Sequence, residues 1–243
     1  MVEKGTSYFK RCINSKSDKN KIKFGKKSVE SFKKALNTAK KLKLKKKIPI
    51  IYEYLTQLNS IIAVSNAGLK KTDEAIIFFK NALFDNKNVG KNNTQKEINA
   101  YLLNEIGKLY NELKDIKNAK LYSLQAISAA KETTDENLLD FYIELNPIFI
   151  NALDLNQINI NYRSMVKLAK RSKRKKVKAQ VYFDYARYLF LIKKDYTGTK
   201  DYLRKSKTIY NAIHLTGMVK LVENFYESKF NREGNPIPEN KEE

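Results

Sequence analysis

Apolar positions in this 243-residue chain recur at three- and four-residue steps in one stretch after another, the stripe of an amphipathic helix. The clearest stretch is residues 103–131, LNEIGKLYNELKDIKNAKLYSLQAISAAK, which reads as two helices joined by a tight turn at Asp115. Within it Gly107, Tyr110, Ala119 and Ala126 stand 3, 9 and 7 residues apart. Gly107 and Ala119 lack bulk, so the first helix can lie close against the second. Tyr110 fills the groove beside them, and Ala126 leaves room for the next helix to dock.

The pattern extends in both directions. Residues 1–13 predict a first helix, with Gly5 and Tyr8 repeating the Gly/Tyr step. The polar, Lys-rich run NSKSDKNKIKFGKK reads as a loop. A helix over 28–44 follows, with Phe32 and Ala35 facing one way and lysines at its negative end. Pro49 opens a helix over 49–66, and its partner over 72–84 carries Ala75, Phe79 and Ala82 on one stripe. Thr94-Gln-Lys-Glu97 and Thr133-Thr-Asp-Glu136 are capping-box patterns. The second of these leads into residues 137–154, where Pro147 predicts a kink or a break. Helices over 155–171, 177–192 and 195–210 come next, and a last one over 212–230 caps the series. Asp115, Asp154 and Asp195 each open a second helix, placed to accept hydrogen bonds from free first-turn amides. Residues 231–243 hold glycine, two prolines and acids, and read as a flexible tail.

These residues and their spacing resemble the tetratricopeptide repeat (TPR), strongly in the 103–131 hairpin and more loosely over roughly residues 25–210. Ala63 and Asn66 stand where that repeat usually has Gly and Tyr. Aligning Ala75, Ala119, Ile158 and Thr199 gives steps of 44, 39 and 41 residues. A period near 40 is similar to the long-helix subtype of the intracellular peptide-pheromone receptors of Gram-positive bacteria. The resemblance implies an all-α, right-handed α-α superhelix, a solenoid of four to five helical hairpins with a C-terminal capping helix, as one domain over residues 1–230. It also implies a non-catalytic partner-binding role, with a protein or peptide held on the inner face of the first helices. In the best repeat that face offers Tyr101, Asn104, Lys108, Asn111 and Glu112. The next offers Asp140, Glu144 and Asn151, and the one after offers Asp184 and Tyr188, with Leu191 beside them. In the pheromone-receptor family such asparagines bind the backbone of an extended peptide, for which an amide suits because it donates and accepts at once. The carboxylates on this face favour a cationic or amino-terminal segment. Those receptors often carry an N-terminal DNA-binding domain, and nothing ahead of residue 25 reads as one. The two-lysine pattern of a carboxylate clamp is missing too.

Composition changes this picture little. Helix formers dominate, and 8 Gly and 4 Pro are too few for a β-rich chain of this size. The formal charge of +22 comes from 41 Lys and 7 Arg against 26 acids. So lysine-heavy an excess, beside abundant Asn and Ile, is what an AT-rich genome produces, and arginine carries most specific base recognition. The densest basic run, KLAKRSKRKKVK, contains Lys170, Arg171, Lys173, Arg174, Lys175 and Lys176, with Tyr182 and Tyr185 near enough to stack on bases. Two readings stand for it: a solvated helix end, or an anion-binding patch that would make the chain a nucleic-acid-binding repeat protein. The single histidine, His214, falls in the final helix, and the single cysteine, Cys12, has no partner for a disulfide. With neither a zinc set nor a His-based triad to hand, and without GxGxxG or a P-loop, the sequence points away from an enzyme, a metal or a cofactor. The lone cysteine and the want of a long apolar run predict a soluble, cytoplasmic protein with no membrane partner.

Overall fold

The computed structural model describes residues 2–90 and 92–237, and those residues are helical almost throughout. In order they form α1 (Val2–Ile13), α2 (Asp18–Lys41), α3 (Lys47–Gly68), α4 (Thr72–Lys87), α5 (Asn93–Glu112), α6 (Ile116–Ala130), α7 (Asp135–Asn151), α8 (Leu155–Arg171), α9 (Lys175–Tyr188), α10 (Tyr196–Ala212) and α11 (Thr216–Lys229). A π-helical turn, Leu189–Lys193, continues α9. The chain forms two compact units that meet in sequence at Asp154 and Leu155. The first holds α1–α7 and the second α8–α11. The architecture is the all-α helical repeat that the spacing predicts. No helix among the described residues is long and apolar enough to cross a membrane.

In the first unit the small residues do the work expected of them. A Cβ built on Gly107 would lie 3.0 Å from the Ser123 Oγ and 3.3 Å from its backbone nitrogen, so α5 and α6 approach closely enough that a side chain there would press on Ser123. Ala119 and Ala126 are fully buried. Tyr110 stacks on Tyr122 with ring centroids 5.5 Å apart, and its hydroxyl accepts from the Lys80 ammonium at 2.8 Å. Leu102, Ile106 and Leu109 of α5 meet Ala75, Phe79 and Ala82 of α4 in one apolar cluster.

Six turns share one device. Lys43, Lys70, Lys114, Leu153, Lys194 and His214 take φ between +52° and +60°, the left-handed conformation that closes a helix C-terminus. In the α5–α6 turn the Asp115 amide then reaches back to the Tyr110 carbonyl at 2.9 Å, and Leu215 reaches Tyr210 at 3.0 Å in the α10–α11 turn. The Asp115 carboxylate accepts from the Asn118 amide at 3.0 Å, and Asp195 accepts from Gly198 at 2.9 Å, as N-caps. Asp154 pairs with Lys120 at 2.6 Å.

Several expectations need correction. The predicted loop over residues 14–27 shrinks to 14–17, because α2 begins at Asp18. Gly25 marks a close approach and not a turn: a Cβ there would sit 2.7 Å from Ile62 Cγ1. Pro147 lies inside a continuous α7, so it costs one hydrogen bond without breaking the helix. Capping falls to neighbours of the expected residues. Asn92, not Thr94, accepts from Gln95 at 3.0 Å, and Thr134, not Thr133, accepts from Asn137 at 3.2 Å. His214 sits in the α10–α11 turn and not in the last helix.

Residues 230–237, where fraying was expected to set in, fold back on α11. Phe230 pairs with Pro236, Ile237 donates to the Lys229 carbonyl at 2.9 Å, and the buried Phe230 ring stacks on Tyr226 at 4.9 Å. The remainder of the expected tail, 238–243, lies outside the described residues.

Candidate functional site

Among the described residues three side-chain hydrogen bonds join α5 to α7 across 40 residues of sequence each. Asn137 Nδ2 donates to Glu97 Oε1 at 3.3 Å, Asn104 Nδ2 donates to Glu144 Oε2 at 2.7 Å, and Asn151 Nδ2 donates to Asn111 Oδ1 at 3.3 Å. Glu97, Asn104 and Asn111 follow one another at seven-residue steps, two helical turns, so they form one stripe on α5. The period near 40 seen in the sequence is thus also the register in which these two helices pair.

Around the middle rung lies a pocket of about 130 Å³ lined by Tyr101, Asn104, Glu105, Lys108, Asp140, Phe141 and Glu144. Tyr101 is 42% exposed, whereas Asn104 is only 2% exposed. The Asn104 amide nitrogen is held by Glu144, but its Oδ1 is buried with no hydrogen-bond partner. Lys108 sits 2.7 Å from Glu105 and 3.8 Å from Glu144. Burial alone would pull its ammonium below the ordinary lysine value, but the Glu105 hydrogen bond and the two carboxylates outweigh that and leave it raised. Burial, reinforced by Glu105, pushes the Tyr101 hydroxyl up, so it stays a neutral donor. Three carboxylates, one ammonium and two aromatic rings thus line the pocket.

Of the residues expected on this face, the structure brings Tyr101, Asn104, Lys108, Asp140 and Glu144 into the pocket. Asn111 and Asn151 form the outer rung, and Glu112 is exposed at the end of α5. Glu105 was missed. Its signal was the Glu105/Lys108 pair, acid before base at i,i+3 on a helix.

Asp184 and Tyr188 belong to the second unit. Asp184 accepts from Gln180 Nε2 at 3.0 Å and faces Arg187 at 3.9 Å, while burial raises its carboxyl above the ordinary value. Tyr188 does not sit on an open face. It is 5% exposed, stacked on Tyr162 at 4.7 Å, with its hydroxyl 3.4 Å from Asn159 Oδ1. It stands two residues after Ala186, as the buried Leu109 stands two after Gly107, and that step points into the core.

The basic run straddles two helices. Lys170 and Arg171 end α8, Lys173 and Arg174 lie in the turn, and Lys175 and Lys176 open α9. The Ser172 Oγ accepts from the Arg174 amide at 3.1 Å, and Lys178 donates to the Lys170 carbonyl at 3.0 Å. The tyrosines expected to stack on bases are committed elsewhere: Tyr182 is buried against Tyr202 at 5.5 Å, and Tyr185 meets Tyr202 at 4.8 Å. Among the described residues no cluster of three or more His, Cys, Asp or Glu side chains is arranged to hold a metal ion.

No family model matches the chain, and no curated protein matches it in sequence. Solved structures do match its fold. The apo form of RapI is 16% identical with a TM-score of 0.57, over 93% of this chain and 81% of that one. BtubC (BKLC) from P. vanneervenii is 14% identical with a TM-score of 0.56, over 87% and 91%. A putative kinesin light chain from Podosopora anserina with nearly identical TPR-like repeats is 11% identical with a TM-score of 0.53, over 87% and 95%. At such identities the likeness is one of fold. This chain has the TPR-like helical-repeat fold.

Proposed function

We propose that the chain is a non-catalytic binding protein that grips an extended segment of a protein or peptide partner along the α5–α7 face. The observation that carries this reading is the row of polar rungs on that face. The Glu97–Asn137, Asn104–Glu144 and Asn111–Asn151 rungs follow at two-turn steps, and the outer one presents two amides, near the exposed ring of Tyr101 and a pocket the size of one side chain. A peptide backbone offers donors and acceptors in alternation, and amides can meet both. The sequence resemblance to the TPR domain of peptide-pheromone receptors points the same way. Cys12, buried with its thiol donating to the Lys21 carbonyl at 3.2 Å, suits a reducing compartment, and the cytoplasm is the setting we infer.

Photo-cross-linking tests the reading. A benzophenone amino acid at Tyr101 of the full chain should trap a partner polypeptide in cells. The same group at Ile77, exposed on α4, should not. Equal trapping at both positions, or none at Tyr101, would contradict the proposal.

One observation favours a second reading, a nucleic-acid-binding repeat. Lys175 and Lys176 open α9 with no acid in its first turn, where the helix macrodipole disfavours cations. An anionic partner lying across 170–176 would relieve that repulsion.

A further inference from the structure

Lys178 and Tyr182 stand one helical turn apart on α9, and Arg204 with Thr208, and Lys205 with Ile209, do the same on α10. Together these six residues line a groove of about 350 Å³ between the two helices, wholly within the second unit. We infer that this groove binds a phosphate monoester, on a ligand separate from the partner of the α5–α7 face.

Charge comes first. Three cations and no acid line the groove. Arg204 lies 3.0 Å from the Asp201 carboxylate, and Lys205 pairs with that same carboxylate, so one negative charge is shared between two positive ones. Among the described residues the Lys178 ammonium pairs with no carboxylate, and its hydrogen bond goes to the Lys170 carbonyl at 3.0 Å. Two positive charges are left over. A monoester dianion matches them, whereas a carboxylate or a backbone diester brings only one negative charge.

The donors agree with the charge. Each of the three cations gives one hydrogen bond within the chain, of three donors on an ammonium and five on a guanidinium. Tyr182 adds a neutral donor. It is only 7% exposed, yet its hydroxyl has no hydrogen-bond partner among the described residues. Burial, with Tyr202 beside it, holds that hydroxyl above the ordinary phenol value, and the Lys205 ammonium draws it the other way. The hydroxyl thus stays protonated, within the field of a cation that lines the same groove. The Tyr182 ring is packed against Tyr202, which leaves recognition to these donors and not to stacking on a base. The volume is at the low end of the roughly 300–1,000 Å³ of small-molecule sites, so the carrier of the ester is a sugar-sized body or one phosphorylated side chain.

Asp201 gives the inference its sign. It competes with the ligand for Arg204 and Lys205, so removing its charge should tighten binding, while removing Lys178 or Arg204 should weaken it.

The test is an NMR titration of the full chain with methyl phosphate at about pH 8, where the monoester holds its second charge. Methyl sulfate and dimethyl phosphate, similar in shape but singly charged, are titrated alongside. The expected result is saturable shifts in residues 178–182 and 204–209, with the two monoanions bound about tenfold more weakly. Lys178→Gln, Arg204→Gln and Tyr182→Phe should each weaken methyl phosphate by about tenfold, the effect of one hydrogen bond to a charged group, and Asp201→Asn should strengthen it. Lys19→Gln and Glu30→Gln, at exposed or half-buried positions of α2, alter the net charge by the same amounts and should leave affinity unchanged. Melting curves confirm that each variant folds. Glycerol phosphate and a blocked phosphoserine pentapeptide represent the two carriers, and whichever binds more tightly than methyl phosphate names the source. Equal affinity for the three methyl probes, equal effects from the α2 variants, weakening by Asp201→Asn, or shifts scattered beyond α9 and α10 would overturn the inference. The peptide-binding reading is judged separately by cross-linking from Tyr101.

Discussion

Asp85 is a carboxylate in a place nearly without water. On α4 it is 6% exposed, with the Asn59 amide donating to it at 2.7 Å. Burial dominates that hydrogen bond and the field of Lys33, and its carboxyl is raised from 3.8 to about 6. Between those values the folded chain holds a proton that the unfolded chain releases, so this group adds stability as pH falls from about 7 to about 4 and loses it as pH rises through 6. Asp85→Asn should therefore stabilise the chain at pH 7.5 by about 1–3 kcal/mol and flatten the slope between pH 4 and 7, as read by urea unfolding across that range. An unchanged slope would show that Asp85 titrates normally. Other residues differed in how openly the sequence announced them. Gly107, Ala119 and Ala126 were legible because steric closeness needs small residues at fixed steps. Glu105 was only faintly so, because its i,i+3 pairing with Lys108 looks the same whether or not a pocket stands beside it. Tyr188 was misplaced because aromatic rings suit both an open face and a core. Only its step from Ala186 tells the two apart.

The helical hairpin is the element in which this chain is written, and its turns explain both the success and the errors of reading it. The left-handed residues in those turns are Lys, Leu and His, each strained by roughly 1–2 kcal/mol, and none announces a turn as glycine would. The turns were found instead from the acids after them and from the apolar stripes on either side. Gly25 misled for the opposite reason: a glycine in a polar run reads as a loop, yet here it lets Ile62 pack against α2. The π-turn at Leu189–Lys193 was not foreseen. It adds one residue, so Ala186 and Thr199 are 13 apart where Gly107 and Ala119 are 12. At the start of α9 the two readings of the basic run separate. If Lys175 and Lys176 oppose the macrodipole, Lys175→Glu with Lys176→Glu should raise stability by about 0.5–2 kcal/mol in urea. If those lysines also hold an anionic partner, the same variant should lose affinity for a short single-stranded DNA and flatten its salt dependence. Stability that falls or does not move would contradict the macrodipole argument.

On the scale of the whole molecule, charge and chemistry point in different directions. The net charge of +22 invites an anionic partner, whereas the formed pocket of the first unit is lined by three carboxylates and one ammonium and sits on a face of polar rungs. We give more weight to the pocket. Lysines scattered over solvated faces need no ligand, but a repeat of polar rungs at a constant 40-residue spacing needs an explanation. The helical-repeat class was legible because periodicity is a property of the chain itself. The pocket was only half legible, because it arises where two helices 40 residues apart come side by side. The most direct test is hydrogen exchange of the full chain with and without the partner trapped from Tyr101. The account predicts slowed exchange in residues 93–112 and 135–151, with 170–178 unchanged. Protection confined to 170–178 would contradict it and hand the function to the basic run.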